Sequence, residues 1–157
     1  MSPIPILAAI VITAIAVLLI ELANGSQQFD QVTGENVLAS GKIQGVAEGI
    51  SQAEGFGVPG AIPTLANNPG DLVIPNWPGA KMGAGISVFD SVDEGRNRLY
   101  HQLQLIVSGQ SKVYNLDMTI AEMANKWTAT DAGNWARIVS GYLGVSTDTT
   151  LRDILTA

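Results

Sequence analysis

Hydrophobic and polar positions divide this chain into an apolar opening and a patterned remainder. Residues 1–20, "MSPIPILAAIVITAIAVLLI", carry no charged side chain, and Glu21 is the first. As a helix this run would span roughly 30 Å, the thickness of a bilayer's hydrocarbon core. Pro3 and Pro5 stand at its mouth, where proline is tolerated. A cleaved signal peptide would need a basic start and a small-residue cleavage site. The n-region has no Lys or Arg, and "ELANGS" is only a fair cleavage site. A buried core helix is the third reading, but a run this long and apolar favours membrane. The pattern therefore predicts a transmembrane anchor over 1–22, touching lipid through residues 4–22. A polar linker follows over 23–35, and one domain over 36–157. Glu21, Asp30 and Glu35 flank the anchor, and no basic residue occurs before Lys42. The domain is accordingly expected on the outer side of the membrane.

Beyond the linker the pattern turns helical. A helix is predicted over about 35–54. Residues 55–85 hold most of the prolines and many glycines, too long a stretch for a passive connection in a small domain. "ISVF" (86–89) alternates like a short strand. Ser91 and Glu94 form a capping-box pair and Gly109 a stop, with Leu99, Leu103, Ile106 and Val107 as the apolar stripe between them. Thr119 and Glu122 repeat the box before "IAEMANKW". A further helix is predicted over 132–143, stopped by Gly144, and a last one from near Thr150. The expected fold class is mainly α: a small helical α+β domain with one long loop and a short β-hairpin, preceded by the transmembrane helix.

Composition adds three exclusions. The chain has no cysteine, so disulfides and thiolate–metal sites are out. His101 is the single histidine, so a multi-histidine metal site is out too, and no cofactor is expected. The net charge of −6 makes a poor general binder of nucleic acid, where phosphate contacts dominate affinity. Reading "MTIAEMANKW…WARIVSGYLG" as a helix-turn-helix fails on the same ground, because its second helix offers only Arg137.

One stretch then raises a chemical question. "AEGISQAEGFG" contains Ala-Glu-Gly twice, at Glu48 and Glu54. With Ile50 taken as zero and about 100° per residue, Ile43, Val46, Ala47 and Ala53 share its face; Glu54 falls near 40°, inside that face, and Glu48 near 160°, opposite it. Glu48 is thus a solvated-face residue. Glu54 is a carboxylate on a buried face at a helix C-terminus, and burial and dipole both favour its protonated form. Such an acid can donate a proton to a leaving group. The bland alternatives are pairing with a buried arginine, or fraying outward with the helix end.

"ISQAEGF" followed by "ANNPGDL" resembles the lysozyme-like lytic transglycosylases, in particular their small phage-borne members. In those, a helix ends in the catalytic glutamate and an Asn-Asn-Pro-Gly-Asn/Asp loop lies downstream. "ISVFDSVDEGRNRLYHQL" is similar to their Phe-x-Ser-x-x-x-Gly segment leading into a helix, and "MTIAEMANKWT" and "GNWARIVSGYLGVSTDTTL" continue the likeness, which covers roughly residues 40–155. The larger transglycosylases follow the acid with serine and then carry Gly-Leu-Met-Gln; here Gly55 follows and no such motif occurs. Asp71 stands where the phage-type relatives often carry asparagine.

The resemblance implies a lysozyme-like fold and cleavage of the β-1,4 bond between N-acetylmuramic acid and N-acetylglucosamine in peptidoglycan. Glu54 would be the catalytic acid and base, with the substrate's own N-acetyl group assisting. A hydrolase would need a second carboxylate, for which Asp71, Asp90 and Asp93 are the candidates. Substrate-binding residues are expected among Asn67, Asn68, Asp71, Phe89, Tyr114 and Trp127. For Asn67 and Asn68 the alternative is a tight structural turn. Trp77, Trp127 and Trp135 could each stack on sugar or fill the core, and Trp127 is the best placed for a cleft. Arg96 and Arg98 read as solvated or paired, and His101 as structural or exposed. Expected partners are glycan strands, the lipid bilayer and other virion proteins, at a virion membrane or a bacterial inner membrane facing the periplasm. The non-enzymatic alternative is a virion membrane protein with a structural or glycan-binding role.

Overall fold

The structure, a computed structural model, describes residues 34–74, 76 and 81–156. The expected anchor over 1–22 and Trp77 lie outside the described residues, as does nearly all of the expected linker. Among the described residues no helix is long and apolar enough to cross a membrane.

Helix α1 covers Gly34–Ala53, close to its predicted bounds. Ile43, Val46, Ala47 and Ile50 are buried, so the face found by helical phasing is the one that enters the core. Its C-terminal end is a Schellman motif. Gly55 N–H donates to the Gln52 carbonyl at 3.1 Å, and Phe56 N–H donates to the Ser51 carbonyl at 2.9 Å. Gly55 takes φ +73°, the left-handed conformation this stop requires. Glu54 is therefore the C-cap, one residue past the helix. The glycine of the other triplet, Gly49, is mid-helix and buried, and a Cβ there would sit 3.4 Å from the Tyr142 ring.

The loop 55–85 is not structureless. It contains a short helix, α2 (Ile62–Leu65), and the strand β1 (Lys81–Gly83), neither of which the sequence pattern had placed. Strand β1 pairs antiparallel with β2 (Ile86–Val88) in the register Lys81↔Val88, Met82↔Ser87, Gly83↔Ile86. Ala84 and Gly85 join them, both at positive φ, as a two-residue hairpin turn demands. Phe89 lies just past the strand predicted to include it, and its N–H donates to the Ala66 carbonyl.

Four helices complete the domain: α3 (Val92–Val107), α4 (Ile120–Trp127), α5 (Ala132–Leu143) and α6 (Leu151–Leu155). The two predicted capping boxes differ in outcome. Thr119 and Glu122 close a full box at α4. At α3, Ser91 accepts from Glu94 N–H, but the Glu94 carboxylate reaches back one residue further and accepts from Asp90 N–H at 3.0 Å. Thr119 and Thr150, the N-caps of α4 and α6, form a β-bridge that ties the two helix starts together.

One core gathers Ile43, Val46 and Ile50 of α1, Leu99, Leu103 and Ile106 of α3, Ile120 and Met123 of α4, Trp135 and Val139 of α5, and Leu151 and Leu155 of α6. Leu72, from the loop, belongs to the same cluster. Burying side chains of this size is worth roughly 1.5–3 kcal/mol each, so the helices hold each other and the loop in place. The protein is mainly helical with one small antiparallel hairpin.

Candidate active site

The site assembles around the helix end. Glu54 is partly exposed, and its carboxylate Oε1 accepts a 2.7 Å hydrogen bond from the Trp135 indole Nε1–H. Trp135 is buried in α5, with 3% of its surface exposed. A buried tryptophan must find an acceptor for its N–H. Here that acceptor is the acid, 81 positions away in sequence.

Burial pushes the Glu54 carboxyl up from its ordinary value. The Trp135 hydrogen bond lowers it, the neighbouring charge of Asp71 raises it, and a hydrogen bond from Trp127 lowers it again. The balance places it at about 7. The acid is thus available in both protonation states near neutral pH, as general acid–base chemistry needs.

Three aromatic rings run outward from the acid. Trp135 and Trp127 have centroids 6.0 Å apart, and Trp127 and Tyr114 5.4 Å, all tilted. Trp127 and Tyr114 are each half-buried, leaving part of each ring at the surface. Trp127 Nε1–H also donates to the Gly70 carbonyl at 3.2 Å. That bond joins the aromatic row to the turn 67–71. Burial pushes the Tyr114 phenol above its ordinary value, and the hydroxyl reaches the Lys126 carbonyl at 3.4 Å.

The turn 67–71 is locked from inside. Asn68 is 0% exposed: its Nδ2 donates to the Leu72 and Ser87 carbonyls at 2.9 and 2.8 Å, and its Oδ1 accepts from Leu72 N–H at 2.9 Å. Asn67 Nδ2 donates to the Phe89 carbonyl at 3.0 Å. Asn67 and Asp71 both take left-handed φ near +50°, which Asn and Asp tolerate better than most side chains. Gly95, in the first turn of α3, faces this turn so closely that a Cβ would lie 1.9 Å from the Asn67 carbonyl oxygen. This contact gives the "FDSVDEG" spacing a physical reason: only glycine lets α3 approach the turn.

The expected site residues separate accordingly. Glu54, Asp71, Trp127 and Tyr114 come together. Asn68 and Phe89 do not offer a ligand anything, since Asn68 is wholly enclosed and Phe89 is 5% exposed. Their expected role at the substrate gives way to one in the scaffold, where they hold the turn and the hairpin. Asn67 is partly exposed, with its amide spent on Phe89. Of the three candidate second carboxylates, Asp71 is the one that acts on Glu54. Asp90 is exposed and paired with Lys81, and Asp93 is exposed and 3.8 Å from Arg96. Arg98 approaches Glu94 at 4.0 Å, and His101 is exposed. Glu48 is partly exposed on the far side of α1 from the core face. For Trp135, as for the other tryptophans, the sequence allows either sugar stacking or a place in the core. It belongs to the core and binds the acid as well.

Among the described residues no group of three or more His, Cys, Asp or Glu side chains could hold a metal ion. No family model matches the chain, and neither does any curated protein or any solved structure.

Proposed function

We propose that this protein is a lytic transglycosylase of lysozyme-like fold that cleaves the MurNAc–GlcNAc β-1,4 bond of peptidoglycan. Its apolar N-terminal run anchors it to a virion membrane, or to a bacterial inner membrane facing the periplasm. There it opens the cell wall locally during genome entry, in contact with glycan strands, lipid and other virion proteins. One observation carries the reading. A helix-capping glutamate, its carboxyl pushed up to about 7 by burial, accepts a hydrogen bond from a buried indole beside half-buried aromatic rings. The ordered sequence motifs around Glu54 and the turn 67–71 support it.

In its neutral form Glu54 gives its proton to the glycosidic oxygen as the bond from that oxygen to muramyl C1 breaks. The substrate's N-acetyl oxygen stabilises the electron-poor C1. The Glu54 carboxylate, held by the Trp135 N–H, then takes the proton of the muramyl 6-hydroxyl as that oxygen bonds to C1. A 1,6-anhydro ring forms and the acid is restored. The first step needs the protonated acid, so activity is full below pH 7 and falls as pH rises through about 7. Tyr114 and Trp127 supply the faces on which sugar rings pack.

Asp71 favours a second reading, hydrolysis, because its charge acts on the acid. Mass spectrometry of murein digested by the full chain separates the readings. A 1,6-anhydro terminus means transglycosylase, and a reducing terminus means hydrolase. Binding without cleavage would mean a structural or glycan-binding protein. Glu54→Gln should reduce cleavage by at least about 100-fold; a variant that cuts normally would remove Glu54 from the role of acid.

A further inference from the structure

Trp135 reaches the acid because two helices lie closely against each other. A Cβ on Gly49 of α1 would sit 3.5 Å from the Val139 side chain and 3.4 Å from the Tyr142 ring, and one on Gly45 would sit 3.7 Å from Leu143. Val139 and Tyr142 follow Trp135 by four and seven positions, so the three share one face of α5. Moving along α1 from Gly45 to Gly49 to Glu54 therefore means moving back along α5 from Leu143 to Val139 to Trp135. This antiparallel register carries the indole to the C-terminal end of α1. The ring is 3% exposed, so it offers no face to a sugar. Its single N–H goes to Glu54 Oε1 at 2.7 Å.

An indole N–H donates and does not accept. In a neutral carboxyl the carbonyl oxygen is a better acceptor than the hydroxyl oxygen. The oxygen bonded to the indole is then the carbonyl one, and the acid's proton rides on the other. We propose that Trp135 is a positioning residue for proton transfer: its N–H holds Oε1, assigns the mobile proton to Oε2, and tightens its bond as that proton leaves. A hydrogen bond to an ionised acceptor is roughly twice as strong as one to a neutral acceptor. The donor is already in place when charge develops on Glu54, so it favours the transfer at that moment. Burial makes the acid hold its proton, and the indole works against burial. The other groups that bear on Glu54 come from three elements. Asp71, of the turn 67–71, raises its proton affinity, and Trp127, of α4, is a neutral donor that lowers it, although the oxygen its N–H reaches at 3.2 Å is the Gly70 carbonyl. Arg137, the charged side chain of α5, is exposed and bonded to Asn134. Tyr114 stands behind Trp127 and is neutral in this range.

The catalytic consequence rests on Glu54 being the acid, but the proton assignment can be measured without any cleavage. In infrared spectra of the full chain, held in detergent, the carbonyl stretch of neutral Glu54 is the band that Glu54→Gln removes and that fades as pH rises through about 7. Trp135→Phe takes away the N–H, so this band should move to higher wavenumber and its midpoint should rise by roughly one pH unit. A ring that only filled space would give the opposite sign, because water let into the site lowers the midpoint. An amino acid carrying benzothiophene at position 135 keeps the shape of the indole and puts sulfur in place of the N–H. It should behave as Trp135→Phe does, and it decides the matter if Trp135→Phe fails to fold. In murein cleavage both variants should lose roughly 10-fold in kcat with KM unchanged, since the buried ring touches no sugar. The alkaline limb should move up with the infrared midpoint. A midpoint that stays or falls in the benzothiophene variant overturns the proposal, and so does a carbonyl band that does not move. An alkaline limb that stays while the midpoint rises overturns it too. If the unaltered chain cuts no murein at any pH, the proposed function fails, and the infrared band and midpoint alone still decide whether Trp135 assigns the proton of Glu54.

Discussion

Residues 55–65 and 67–72 belong to the same proline- and glycine-bearing loop, yet the first is mostly exposed and the second mostly buried. In the first, Val58, Ile62 and Leu65 are exposed, Leu65 to 72%. Gly55, Gly57 and Gly60 all take positive φ, and each has open space where a Cβ would be. In the second, Asn68, Pro69, Gly70 and Leu72 are buried. The difference lies in polar bookkeeping. A loop can enter a core only if its backbone groups find partners there. Asn68 supplies three hydrogen bonds from one side chain, which closes the second segment on itself and on β2. The first segment relies on local turns and on a bond from Gly57 N–H to Thr64 Oγ1 at 2.8 Å. Glu54 sits where the two behaviours meet: the exposed segment follows it in sequence, and the buried one is bonded to Trp127, which packs on the Trp135 ring that holds the acid.

The contrast can be broken most severely at Gly95. Alanine there drives a Cβ into the Asn67 carbonyl, and neither helix nor turn can give way cheaply. Gly95→Ala should destabilise the full chain by more than about 3 kcal/mol in urea unfolding. A loss under about 1 kcal/mol would mean that the turn is as pliable as its neighbour. Asn68→Ala comes next. It leaves Leu72 N–H and the Ser87 carbonyl without the amide that pairs them in a buried site, at a cost of about 2–3 kcal/mol. Because the turn is bonded to Trp127, whose ring packs on Trp135, the same variant should also shift the nuclear magnetic resonance of the Trp135 Nε1–H. Gly57→Ala should cost only about 1 kcal/mol, for the left-handed backbone alone, and leave that resonance where it was. If Gly57→Ala moved the resonance more than Asn68→Ala, the division into loose and rigid segments would be wrong.

Much of the architecture was legible because it is local. The apolar stripes of α1 and α3, the threonine box at α4 and the glycine stop of α5 each depend on residues within a few positions of one another, and each appears close to where the pattern puts it. Helical phasing separated Glu54 from Glu48 for the same reason. The elements hidden in the loop, α2 and β1, are three or four residues long and carry no periodic signal. Sequence reading named Asn67 and Asn68 together, and only burial distinguishes them. Trp135 could have been placed by a stricter argument. A core tryptophan needs an acceptor, and Glu54 was the one carboxylate phased onto a buried face.

The sequence by itself determined that residue 54 is an acid at the end of a helix, turned toward the core, with a glycine behind it to stop the chain there. Helix periodicity and capping act over a few residues, so the chain carries that information locally. Only the tertiary structure decided what the acid meets: the indole of α5, the charge of Asp71 and the row of rings from Trp135 to Tyr114. Those partners are set by how distant segments pack, and proton affinity depends on what lies within a few ångströms in space rather than on what is near along the chain.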